Sequence, residues 1–325
     1  GEQDTLMVAL LEQGHTLAPA KPTGLRPDQM TRGDIFDQLL AGQADFALMD
    51  NGDDIPADLQ AYPIAYDAIV PFVSFSDQHQ AKRATTFMGD RVSLTELRQV
   101  FTGELDTLNG NTVEAYFPEV PYVKAYPATT GETTAQPPKV KFSARPPLFD
   151  RFVQEVLGGD QDAAVAMAAV IDERRGELRS RIQDQTGQAS YDIFTQINQP
   201  FNQWNILDSS APAPTIGIGL DRLSRVRQQC TVYPLAVEAQ GRSLQFLQHQ
   251  GKPITPQTNL CRDPIQVDTD LIQQLATEDL LAYELVVVFP DTSTPGAAVA
   301  QLLSHPDTHT KLAATGMIPA PRPNP

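Results

Sequence analysis

The sequence has no run of roughly 18 or more apolar residues, so no segment of it reads as a membrane-spanning helix. Basic side chains are scarce: 24 Lys and Arg stand against 40 Asp and Glu, a formal net charge of −16. Such a field repels nucleic acid and anionic membrane, which excludes a partner held through a phosphate backbone. Histidine is sparse too. His15, His79, His249, His305 and His309 are scattered, and no His-Glu-x-x-His occurs. His305 and His309 have the four-residue spacing that could put two imidazoles on one helical face, but Pro306 and Asp307 mark a helix start or turn there instead of a metal site. There is no Gly-x-Ser-x-Gly elbow and no phosphate-binding P-loop. Gly217 and Gly219 lack the third glycine of a dinucleotide fingerprint and read as strand glycines that allow close backbone approach. Asp53 and Asp54 fall in a turn with Gly52 and Pro56, as solvated carboxylates do. No enzyme, cofactor or metal centre is implied.

Cysteine is nearly absent, with only Cys230 and Cys261. Their spacing and the lack of further ligands exclude a metal pair. They stand either as one disulfide or as two unpaired thiols. The chain opens Gly1-Glu2-Gln3-Asp4 without an apolar signal core. An exported form would therefore carry its leader or anchor ahead of Gly1, or the chain is one part of a longer polypeptide.

What is present is ordinary globular material: 325 residues, 41% hydrophobic and 20% charged, enough for two domains that each bury a core. Asp4 to Leu11 reads as a first strand buried on both faces. Pro19, Pro22 and Pro27 then exclude a continuous helix. Asp34 to Ala41 reads as a short amphipathic helix with Thr31 as N-cap. Ala44 to Asp50 is a short apolar run ending on a carboxylate. Tyr62 to Val73 reads as a buried strand with Pro63 and Pro71 at its margins. Ser93 and Glu96 form a capping-box pattern ahead of a helix with Leu94, Leu97, Val100 and Phe101 on one face and Gly103 as its stop. Further on, 113–126 reads as a strand and 129–138 as a surface loop. Helices are expected at 149–157, over 163–182 as one or two, and from Tyr191 to Trp204. Strands are expected at 215–220, 230–237 and 281–289, and a last helix from Pro295.

Three of these pieces in order, Ala44 to Asp50, Tyr62 to Val73 and Val92 to Asp106, resemble the phosphate-transporter family of periplasmic binding proteins. Thr215 to Leu220, Leu281 to Phe289 and Leu312 to Pro319 match later strands and the closing segment of that family. The resemblance implies an α/β, two-lobed periplasmic-binding-protein-like fold (type 2) with hinge crossovers. Residues 1–72 and 275–325 would form the first lobe and 73–274 the second. It implies a non-catalytic extracytoplasmic domain that binds a small, phosphate-like oxyanion between the lobes. Any membrane anchor would lie in a segment absent from this chain, and the partner would be an ABC transporter permease or an attached signalling domain. The alternative is a sensor or protein-interaction domain of the same fold that has lost high-affinity phosphate binding, as part of a membrane-anchored signalling protein such as a kinase.

The resemblance also places the ligand residues. Asp50 falls where the family's Asp accepts a proton from the ligand and so rejects fully ionised anions; otherwise it caps the turn with Asn51 and Gly52. Thr16 falls in the counterpart of the first ligand loop. Thr31 and Arg32 stand at the start of the next helix, where Met30-Thr31-Arg32-Gly33 replaces a Ser/Gly-rich turn. Ser143 and Arg145 fall in the second-lobe ligand loop, close to Lys139 and Lys141, and Pro146 and Pro147 each remove an amide donor from the helix that follows. In an oxidising compartment the implied state of Cys230 and Cys261 is a disulfide, worth about 3–4 kcal/mol in the chain-entropy account.

Overall fold

The computed structural model describes residues 32–75, 83–125, 140–144, 146–183, 192–198, 213–314 and 316–320. The expected first strand, Thr16, Thr31 and the 129–138 loop lie outside them.

In chain order the elements begin with α1 (Arg32–Leu40), β1 (Ala47–Asp50), β2 (Leu59–Ser74), α2 (Ala84–Met88), β3 (Arg91–Ser93) and α3 (Leu94–Phe101). β4 (Thr107–Leu108), β5 (Asn111–Tyr116), β6 (Tyr122–Ala125), β7 (Val140–Ala144), α4 (Pro147–Glu155), α5 (Gln161–Gln183), α6 (Ile193–Gln196) and β8 (Ile216–Arg222) follow. Next come α7 (Leu223–Val226), β9 (Val232–Pro234), β10 (Ala236–Ala239), β11 (Arg242–Leu244), β12 (Leu247–His249), β13 (Lys252–Pro253) and β14 (Gln266–Val267). The chain closes with α8 (Thr269–Thr277), β15 (Ala282–Pro290), α9 (Thr294–Leu303), α10 (Pro306–Ala314) and β16 (Ile318–Pro319).

The architecture is mixed α/β, the class expected from the sequence. Its main sheet runs β1-β15-β2-β8-β5-β4, with β16 and β9 also paired to β2. β2 is shared by two halves of this sheet. Along 59–68 it pairs with β15, and along 69–73 with β8. Its burial follows: exposed positions occur only up to Pro63, whereas every residue from Asp67 to Ser74 is buried. A strand covered on both faces reads as a continuous apolar run.

The sequence placed Pro63 and Pro71 at the margins of this strand, and both are inside it. Proline is tolerated in a sheet where the ladder is already interrupted. At Pro63 it is: Leu285 opposes Ala65 and Val286 opposes Pro63, so Ile64 is an extra residue, and its carbonyl accepts from Ala320 instead. The Pro71 carbonyl accepts from Leu235 at 2.9 Å.

β15 alternates in the same way between two cores. Val286 and Val288 meet Phe36 and Leu39 of α1, while Leu285, Val287 and Phe289 join the main cluster. The period of two along a strand demands this. α3 forms as read, with Ser93 accepting from the Glu96 amide and Glu96 accepting from the Ser93 amide, both at 3.0 Å. Two expected single strands are divided: 113–126 becomes β5 and β6, and 230–237 becomes β9 and part of β10. The 163–182 stretch is one helix, α5. Cys230 and Cys261 are joined as a disulfide.

Candidate functional site

β1 is only four residues long and ends on a carboxylate. Pairing with β15 sets Asp50 opposite Leu285, and the Asn51 amide continues the ladder to the Glu284 carbonyl at 2.7 Å. Asp50 is 7% exposed, so its charge needs a partner. That partner is Arg151 of α4, whose Nε donates to Asp50 Oδ2 at 3.1 Å. The same guanidinium donates from Nη1 to Glu155 Oε1 at 2.8 Å and from Nη2 to the Asn51 carbonyl at 3.5 Å. Its face lies over the Tyr283 ring, 4.4 Å from the centroid.

Burial disfavours the Arg151 charge, but Asp50 and Glu155 outweigh it and raise its pKa above the usual arginine value. Burial pushes Glu155 up to about 7, against the pull of Arg151. The Leu281 backbone amide also pulls it down. Two carboxylates thus face one guanidinium.

Arg32 approaches from the other side. Its Nη1 donates to the Asp50 carbonyl at 2.7 Å, and Nε and Nη2 each donate to Asp54 at 2.8 Å. This fork holds the Asp54 carboxyl below the usual aspartate value, with burial opposing. Asp54 is therefore a partner of Arg32 and not simply a solvated turn carboxylate. Asn51 Nδ2 donates to Glu284 Oε1 at 3.0 Å.

The start of α4 is the second part of the site. Pro146 and Pro147 supply no amides, and Pro146 makes no side-chain cap. The Phe149 amide donates to Glu119 Oε2 at 3.1 Å, and Arg222 Nη1 lies 3.5 Å from Glu119 Oε1. Burial raises the Glu119 pKa, with Arg222 and the Phe149 amide pulling it down. A helix N-terminus favours negative charge on dipole and amide grounds. Here the negative charge comes from the chain itself.

Of the residues named from the sequence, Asp50 and Arg32 come together. Ser143 lies in β7, where the resemblance placed a loop; β7 pairs antiparallel with β6. The Ser143 side chain, Arg145, Thr16 and Thr31 lie outside the described residues. His305 heads α10, with Nδ1 3.6 Å from Asp307 Oδ2. No group of three or more His, Cys, Asp or Glu among the described residues is arranged to hold a metal ion.

The sequence reading missed Arg151 and Glu119. Arg151 and Glu155 have i,i+4 spacing on a helix whose other face is marked by Phe149, Phe152 and Val153, and that pair is the signal that was there. Glu119 lies 30 residues from Phe149, and nothing local marks it.

No family model and no curated protein matches the chain. Solved structures do. A Clostridium perfringens protein assigned as a phosphate ABC transporter substrate-binding protein, with bound phosphate, aligns over 98% of this chain and 94% of its own at 11% identity and a TM-score of 0.45. An ABC-type phosphate transport receptor from Vibrio cholerae aligns over 98% and 95% at 8% identity and a TM-score of 0.44. A peroxide-bound mutant of Corynebacterium glutamicum OxyR also aligns, over 96% of this chain and 62% of its own, at 11% identity and a TM-score of 0.36.

Proposed function

We propose that this chain is a non-catalytic, extracytoplasmic solute-binding domain of the phosphate-transporter type, which takes a small phosphate-like oxyanion between two lobes. The observation that carries this reading is the buried pair of Asp50 and Arg151 at the end of β1, where the resemblance puts a ligand-facing carboxylate. A carboxylate at that place accepts a hydrogen bond from a protonated oxyanion, which a fully ionised one cannot donate.

On this reading residues 1–72 and 275–325 make one lobe and 73–274 the other. β2 and β15 lie at the crossovers. The ligand residues are Asp50, Arg32, Thr31 and Thr16 on the first lobe and Ser143 and Arg145 on the second. The partner is an ABC transporter permease or an attached signalling domain. No described helix is long and apolar enough to cross a membrane.

A second reading is a sensor or interaction domain of this fold without high-affinity phosphate binding. Glu119 favours it, because the chain's own carboxylate already takes the Phe149 amide at the α4 N-terminus.

Calorimetric titration with phosphate and with sulfate tests the choice. Arg145→Ala is expected to weaken phosphate binding about tenfold or more, from the loss of a charged hydrogen bond worth roughly 1.5–3 kcal/mol. Asp50→Asn is expected to narrow the difference between phosphate and sulfate. No heat with wild type at millimolar phosphate would overturn the first reading and leave the second.

A further inference from the structure

Arg151 has all three guanidinium nitrogens engaged within the chain. Nη1 holds Glu155 of its own helix, while Nε and Nη2 reach Asp50 and Asn51 at the end of β1. Its flat face covers Tyr283 of β15. Arg151 and Glu155 fall within 73–274, and Asp50, Asn51 and Tyr283 fall in the other proposed lobe. The side chains of Arg151 and Asp50 are only 14% and 8% exposed, so the contact is shielded from solvent and salt.

We propose that Arg151 is an interlobe latch, a buried guanidinium that holds the two lobes together before any anion arrives. The proposal rests on the two-lobed reading above. Its physical basis is that one planar cation meets a carboxylate, a carbonyl and an aromatic face that all belong to the opposite lobe. A lysine could not reproduce that set, because an ammonium has no flat face and no fork. Glu155 anchors the guanidinium from below on α4, which fixes the direction of the fork. Arg32 fixes the other side by donating to the Asp50 carbonyl.

The consequence is a domain already closed without its ligand. An anion must then wait for the latch to open, so wild type associates slowly and a latch variant faster. Closure is no longer the signal that ligand has arrived, as it would be for a hinge that ligand alone closes.

Interlobe distance measures this directly. Asp58 and Glu104 are exposed and lie on opposite sides of the proposed division. Asp58→Cys and Glu104→Cys, each carrying a nitroxide, report the distance by double electron–electron resonance, with the native cysteines bonded to each other. Wild type is expected to give one narrow distance, the same with and without millimolar inorganic phosphate. Arg151→Gln is expected to give a longer, broader distribution without phosphate. Asp50→Asn breaks the same contact from the other lobe with less change in volume, and serves if Arg151→Gln fails to fold. A wild-type distance that is long and shortens only with phosphate would overturn the latch and leave the binding reading standing. Distances unchanged in both variants overturn the latch, and if wild type also fails to bind phosphate, the oxyanion reading falls with it. Opening in the variants without phosphate binding by wild type would support the latch and overturn the oxyanion reading alone.

Discussion

Ser224 gives both of its donors to Asp67: its amide lies 3.0 Å from Oδ1 and its hydroxyl 2.5 Å from Oδ2. The Ala68 amide adds a third bond at 2.9 Å. This ties the middle of β2 to the start of α7 in the fully buried interior. Burial nevertheless outweighs the donors and pushes Asp67 up to about 6 from 3.8.

Stability should therefore fall as pH rises. Asp67 and Glu155 both titrate higher folded, about 6 and about 7, than their reference values of 3.8 and 4.5. Between those limits the folded chain holds more protons than the unfolded one, so the stabilisation is complete below the reference values and lost as pH passes the folded ones. Urea unfolding at about pH 5 and about pH 8 should differ by on the order of 2–4 kcal/mol, with the lower pH more stable. Asp67→Asn and Glu155→Gln should each flatten that slope. Equal stability at both pH values would contradict the account.

Gly219 should not tolerate a side chain. A Cβ there would lie 2.4 Å from the Phe72 ring. Phe72 is fully buried and packed on Phe194 at 5.1 Å between ring centroids, so the ring has nowhere to go. Gly219→Ala should cost about 1–3 kcal/mol by overpacking, read as a lower urea midpoint. A midpoint like that of wild type would show that the β2–β8 seam is looser than the structure has it.

Glu119→Ala tests whether the α4 N-terminus belongs to the ligand site. Removing the carboxylate from the α4 N-terminus should cost about 1 kcal/mol of stability, as the loss of a helix cap does. If Glu119 stands where an anion would, phosphate affinity should rise severalfold in the calorimeter. An unchanged affinity would show that this helix end takes no part in ligand binding.

The fold was legible where one physical rule decided a segment. The capping box at Ser93 and Glu96 needed only local pattern, and so did the buried run of β2. The prolines inside β2 were not legible, because the irregularity at Ile64 that accommodates Pro63 is made by β15, more than 200 residues later. Of the site, Asp50 was visible through its place at a strand end. Arg151 carried a signal in its i,i+4 glutamate, but a helical Arg–Glu pair is more often a solvated surface pair, and only the contacts of Arg151 with Asp50 and Tyr283 mark it as a buried one. Glu119 carried none, since its meaning comes from a helix start 30 residues away.

Equilibrium dialysis of the wild-type chain against radiolabelled inorganic phosphate, with sulfate as competitor, tests the central claim most directly. The account predicts saturable binding of one phosphate per chain that excess phosphate displaces and excess sulfate displaces poorly. Retention no greater than that of a protein without a phosphate site, up to millimolar phosphate, would contradict it.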